Sequence, residues 1–123
     1  MPPRHIYPFE KLRVWEGAHQ LPTEVYGMTR GFPRSEIYGL TSQTNRAAIS
    51  VAANLAEDSS RTNRKDQAYF SQIAYGSLLE LAGLPLLAVD LRFISAEGEA
   101  KLREQIESVS RQLNALRNKQ VSS

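Results

Sequence analysis

Five polar side chains recur at intervals of three or four in QTNRAAISVAANLAED (residues 43–58): Gln43, Arg46, Ser50, Asn54 and Glu57. At helical spacing they share one narrow arc beside an apolar face. A carboxylate, a guanidinium, a hydroxyl and two amides in line could serve acid–base chemistry, phosphate recognition or a structural network. Arg46 and Glu57 are eleven residues apart, about 16 Å along a helix axis, and cannot pair on one helix. If this segment and the next form a hairpin centred near Arg61, Glu80 comes level with Gln43, one turn from Arg46. Ser77 and Gln43 can then satisfy the remaining donors and acceptors of an Arg46–Glu80 pair. Buried, such a pair would be sensitive to the loss of either partner.

Catalysis needs more than this line supplies. A general acid and base must face one cavity with their pKa values pushed apart, whereas Glu57 and Glu80 fall at opposite ends of the expected hairpin. His5 and His19 are the only histidines, and cysteine is absent. No glycine-rich phosphate loop, nucleophile elbow or deaminase signature is present. The expectation is a protein that is not an enzyme and uses neither metal nor cofactor.

Of the 123 residues, 41% are hydrophobic and 23% charged, a globular balance sufficient for one modest core. A net charge of +2 permits nucleic-acid binding without demanding it. The N-terminal MPPRHIYP lacks the apolar stretch of a secretion signal, and no uninterrupted apolar run approaches about 20 residues. A soluble cytoplasmic protein with no membrane partner is expected.

The elements that must position these groups read as helices. Strand-type alternation is missing, and apolar residues recur at helical spacing in four segments, about 9–29, 35–58, 63–93 and 96–119. Pro22 predicts a kink in the first, or a break into two shorter helices. Ser35, Asn63 and Ser95 are candidate N-caps. Pro85 predicts a kink in the third segment, and Leu102, Ile106, Val109, Leu113 and Leu116 make a narrow seam in the fourth. Beyond Lys119 the tail is expected to fray. Short connectors favour an all-α fold, an antiparallel up-down-up-down four-helix bundle in a single domain.

Ile49, Ala52, Ala53 and Ala56 lie on the remaining side of the second segment. A helix that is apolar or small nearly all round tends to be buried all round. These residues are therefore candidates for contact with a second copy of the chain, against the alternative of a partly exposed alanine face.

The stretches FEKLRVWEGAHQL, VYGMTRGFPRSEIYGLTSQTNRAAISVAANLAED and YFSQIAYGSLLEL resemble the four-helix-bundle proteins encoded by intervening sequences of bacterial 23S ribosomal RNA genes. That family includes the accessory variability determinant proteins of diversity-generating retroelements. The resemblance spans roughly Phe9 to Leu116. It implies a ring-like homopentamer with a basic surface suited to RNA or DNA, and an adaptor role beside a reverse transcriptase. Asp58 stands where those proteins usually carry glycine, and Asn45 where an arginine often precedes Arg46.

Three basic clusters are candidates for nucleic-acid contact: Arg61 with Arg64 and Lys65, Lys11 with Arg13, and Arg30 with Arg34. Two functions follow as expectations. One is an RNA-associated, non-catalytic oligomeric adaptor. The other is a structural module that docks a partner protein, with Trp15, Tyr26 and Tyr38 as aromatic candidates.

Overall fold

The computed structural model describes residues 2–121. Within them lie helices α1 (Arg13–Thr29), α2 (Leu40–Ser60), α3 (Arg64–Asp90) and α4 (Ala96–Val121), and no strand. Each helix turns one apolar stripe inward. Val14, Ala18, Leu21 and Val25 come from α1, Ala47, Ala48, Val51 and Leu55 from α2, Ala74, Leu78, Leu81 and Leu84 from α3, and Leu102, Ile106, Val109 and Leu113 from α4. Spacings of three and four keep these residues over successive turns of one face, so burial of the stripes drives the helices together.

Each helix packs on the next, and α1 also packs on α4. Gln43 bonds Glu80 and Ser50 bonds Ser77, so α2 and α3 run in opposite directions. The start of α1 lies beside the end of α4, and its last turns beside the start of α4. The result is the antiparallel four-helix bundle that the apolar spacing predicts. A Cβ added at Gly17 would meet Val109 Cγ2 at 3.0 Å, so a larger residue there would press on Val109 where α1 packs against α4.

The helix starts differ from expectation where short local turns intervene. The first helix begins at Arg13 and not near Phe9, because Pro8–Lys11 forms a separate 3-10 turn and Leu12 is extended. It then runs unbroken through Pro22. Ser35 does not cap the second helix. Arg34–Glu36 forms a short 3-10 turn, and α2 begins at Leu40, whose N–H donates to Glu36 Oε1 at 3.1 Å. Asn63 does cap α3, accepting from the Asp66 N–H at 2.9 Å, and Ser95 Oγ accepts from the Gly98 N–H at 3.0 Å at the start of α4. The expected fraying beyond Lys119 does not occur at Gln120 or Val121, which remain helical; residues 122 and 123 lie outside the described part.

Helix α3 passes through a buried Pro85 and stops at Asp90, not Phe93. The Phe93 N–H bonds the Ala88 carbonyl and the Arg92 N–H the Val89 carbonyl, a Schellman closure. It requires Arg92 to adopt φ 64°, a conformation that favours glycine. Arg92→Gly is expected to raise stability by about 1 kcal/mol, read from the midpoint of urea unfolding.

An 18-residue window of α3 has a mean hydropathy of 1.4 with only 33% of it buried. By length and composition this helix could cross a membrane, yet here Ala74, Leu78 and Leu81 on its inner side are fully buried in the core. Its outer side leaves Leu79, Leu86 and Leu87 exposed, and Leu91 just past its end is exposed as well.

Candidate nucleic-acid interface

The polar line of α2 faces the seam with α3. Ser50 Oγ and Ser77 Oγ are 2.7 Å apart, and Asn54 Nδ2 donates to Ser50 Oγ at 3.0 Å and to the Ser50 carbonyl at 2.9 Å. Gln43 Nε2 donates to Glu80 Oε2 at 3.2 Å. The Arg46–Glu80 pair is not formed. Arg46 is exposed and donates to Ser42 Oγ at 3.3 Å, although it borders the same hollow as Ser77 and Glu80. Glu57 is also exposed and pairs with Arg61 at 2.9 Å. Hydroxyls and amides therefore line the inner part of the seam, and its charged groups remain wet.

The flank opposite the line is only partly covered. Ile49 and Ala53 are exposed, while Ala52 and Ala56 are half-buried. Tyr7, Pro8 and Phe9 line a hollow together with Ala53 and Ala56, so the chain's own N-terminal turn shields part of the face that the sequence marks for a second copy.

A buried polar knot ties three helices together near the α2–α3 connector. Gln120 Nε2 donates to both carboxylate oxygens of Asp58, at 3.0 and 2.9 Å, and Ser71 Oγ donates to Gln120 Oε1 at 2.7 Å. Burial pushes the Asp58 carboxyl above the usual aspartate value of 3.8, against the opposing pull of Gln120. Asp58, Ser71 and Gln120 come from three separate helices, and their polar character gives no sign of burial in the sequence.

Two of the predicted basic clusters meet at one end of the bundle. In the connector, Arg61 pairs with Glu57 and lies over the Phe70 ring at 4.5 Å, and Arg64 Nη1 donates to the Lys119 carbonyl at 3.4 Å. Lys65 is exposed. Lys11 and Arg13 border a groove of about 640 Å³ between α1 and α4, whose opposite wall carries Arg111 and Lys119. Leu12, Val14, Ala115 and Leu116 supply apolar surface, and no carboxylate lines the groove. Arg111 of this wall pairs with Glu107 at 3.6 Å, both largely exposed. Arg30 and Arg34 are exposed near the α1–α2 connection and join neither group. Arg111 and Lys119 escape a reading by local clusters, because eight residues separate them along α4 and they meet Lys11 and Arg13 only through packing.

An aromatic series borders the same edge. Successive ring centroids of His5, Tyr7, Phe9, Trp15 and His19 lie 4.7, 5.9, 4.7 and 5.5 Å apart. Tyr7 with Phe9 and Trp15 with His19 are nearly parallel, at 4° and 8°. Trp15 is half-buried against the core, while Tyr7 and His19 are exposed. The Tyr7 N–H donates to Glu10 Oε1 at 3.1 Å, and Arg4 pairs with Glu10 at 2.8 Å. That backbone N–H, more than Arg4, holds the Glu10 carboxyl below its usual value. Lys11, Leu12 and Arg13 line both this aromatic hollow and the basic groove, and the hollow, unlike the groove, also carries the carboxylates Glu10 and Glu16.

Glu16 and His19 stand at Glu-x-x-His spacing, but among the described residues no group of three His, Asp or Glu side chains could hold a metal ion. Fold and site thus define an all-helical bundle protein with cations gathered at one end. The family model of the 23S rRNA-intervening sequence protein matches residues 10–115. The chain belongs to that family. No curated protein matches it in sequence.

Proposed function

We propose that the protein is a non-catalytic, cytoplasmic, oligomeric adaptor that associates with RNA. The observation that carries this reading is the convergence of Lys11, Arg13, Arg111 and Lys119 on one groove with no lining carboxylate. Cations drawn from distant parts of a chain, facing each other across a concave surface, hold a polyanion more strongly than the net charge of +2 suggests. In a ring of copies, each modest site would be repeated and the sites would act together.

Assembly has its own support. The outer side of α3 exposes Leu79 at 51% and Leu87 at 52%, and Ile49 on α2 is 45% exposed. Apolar surface of this kind marks an interaction site when it is contiguous. Copies of the chain are the proposed occupant, in the homopentamer that the family resemblance suggests. Docking of a partner protein such as a reverse transcriptase on the same side is the second reading, and recovery of a defined partner from nuclease-treated lysate would favour it.

The test is retention of RNA as salt is raised. If three or four phosphates are neutralised, log K is expected to fall against log salt with a slope of about −2 to −4. Absence of any RNA retention at low salt would remove this reading, and light scattering at micromolar concentration would decide between ring and monomer.

A further inference from the structure

Four cations alone would attract any polyanion. What distinguishes this surface is the aromatic series alongside, with Lys11 and Arg13 common to both hollows. We infer that the edge formed by the α1 start, the preceding turn and the α4 end is a binding site for single-stranded nucleic acid. Its phosphates follow Lys11, Arg13, Arg111 and Lys119, and its bases stack on Tyr7 and His19. This inference rests on the RNA-associated reading and narrows it to unpaired strands.

The chemistry has two halves. Phosphates require mobile or forked cations and are indifferent to base identity. Bases require flat faces, which a duplex keeps within its own stack and a single strand leaves free. Tyr7 is 55% exposed although its partner Phe9 is half-buried, and His19 is exposed beyond the half-buried Trp15. Each pair therefore has an inner ring anchored at the bundle and an outer ring turned to solvent. The Tyr7–Glu10 and Arg4–Glu10 bonds hold the turn that carries Tyr7, so the outer rings are positioned in advance. Fixed platforms lower the ordering cost of binding.

Trp15 is the sole tryptophan and lies 5.5 Å from the His19 ring, which makes it a built-in reporter. The experiment compares an unstructured uridine-rich RNA of about 12 nucleotides with a duplex RNA of equal length, following Trp15 emission and the anisotropy of labelled RNA. The single strand should bind more tightly and shift Trp15 emission. Tyr7→Leu combined with His19→Ala should weaken the single strand by about ten-fold or more and leave the duplex unchanged. Tyr7→Phe should retain binding, and far-UV circular dichroism should verify the helices of each variant. Arg13→Gln with Arg111→Gln should weaken both RNAs and lower the salt slope by about one for each lost contact.

Equal binding of both RNAs, or an equal loss of both in the Tyr7–His19 variant, would overturn the stacking site while leaving RNA association standing. Failure to bind either RNA at low salt would remove both.

Discussion

Gln120→Ala is expected to lower stability by about 2 kcal/mol at neutral pH, and by distinctly less in acid. The variant deletes the amide that donates to both Asp58 oxygens and the carbonyl oxygen that accepts from Ser71. At neutral pH it leaves a carboxylate at 3% exposure without its donor. Below the usual aspartate value of 3.8, Asp58 is protonated in folded and unfolded chains alike, and its burial no longer isolates a charge. The sign for the native protein follows from the same group. Its folded pKa is raised, so between the unfolded and folded values the native state binds more protons. Its contribution to stability therefore decreases as pH rises through that window and is most favourable below it. Asp58→Asn should abolish this dependence while retaining an oxygen that accepts from Gln120. Urea unfolding at neutral and acid pH checks both variants; an equal loss for Gln120→Ala at the two pH values would refute the role given to Asp58.

The second large effect is expected at Leu78, which is fully buried at the centre of α3. Leu78→Ala should cost about 2–5 kcal/mol through lost transfer energy and an incompletely closed cavity. That is a large part of the roughly 5–15 kcal/mol that holds a domain of ordinary stability. Leu87, nine residues on, is 52% exposed, and Leu87→Ala should change the unfolding of an isolated protomer by only about 0.5 kcal/mol. If copies of the chain cover the outer side of α3, the Leu87→Ala loss grows with protein concentration, because assembly is linked to folding. Chemical unfolding at two protein concentrations separates these outcomes.

Helix existence was legible because the repeat of apolar residues is local and periodic. Caps were legible where one side chain meets one nearby N–H, as at Asn63 and Ser95. Ser35 failed because Glu36 supplies the acceptor for the Leu40 N–H after an intervening turn. The hairpin register of α2 and α3 was also within reach, since Gln43 does meet Glu80. The partner of Arg46 was not, because its long side chain bonds Ser42 on its own helix although it borders the same hollow as Glu80, and helix register does not fix that choice.

By itself the amino-acid order determined what short-range forces can decide: an all-helical chain, an inward stripe on each helix, and the family match across 10–115. Tertiary structure decided which distant groups became neighbours. It set Arg111 and Lys119 opposite Lys11 and Arg13, and enclosed Asp58 with Gln120. The physical reason is range. Hydrophobic spacing and capping act within a few residues, whereas electrostatic and hydrogen-bonded contacts between helices exist only after the apolar stripes have fixed their register.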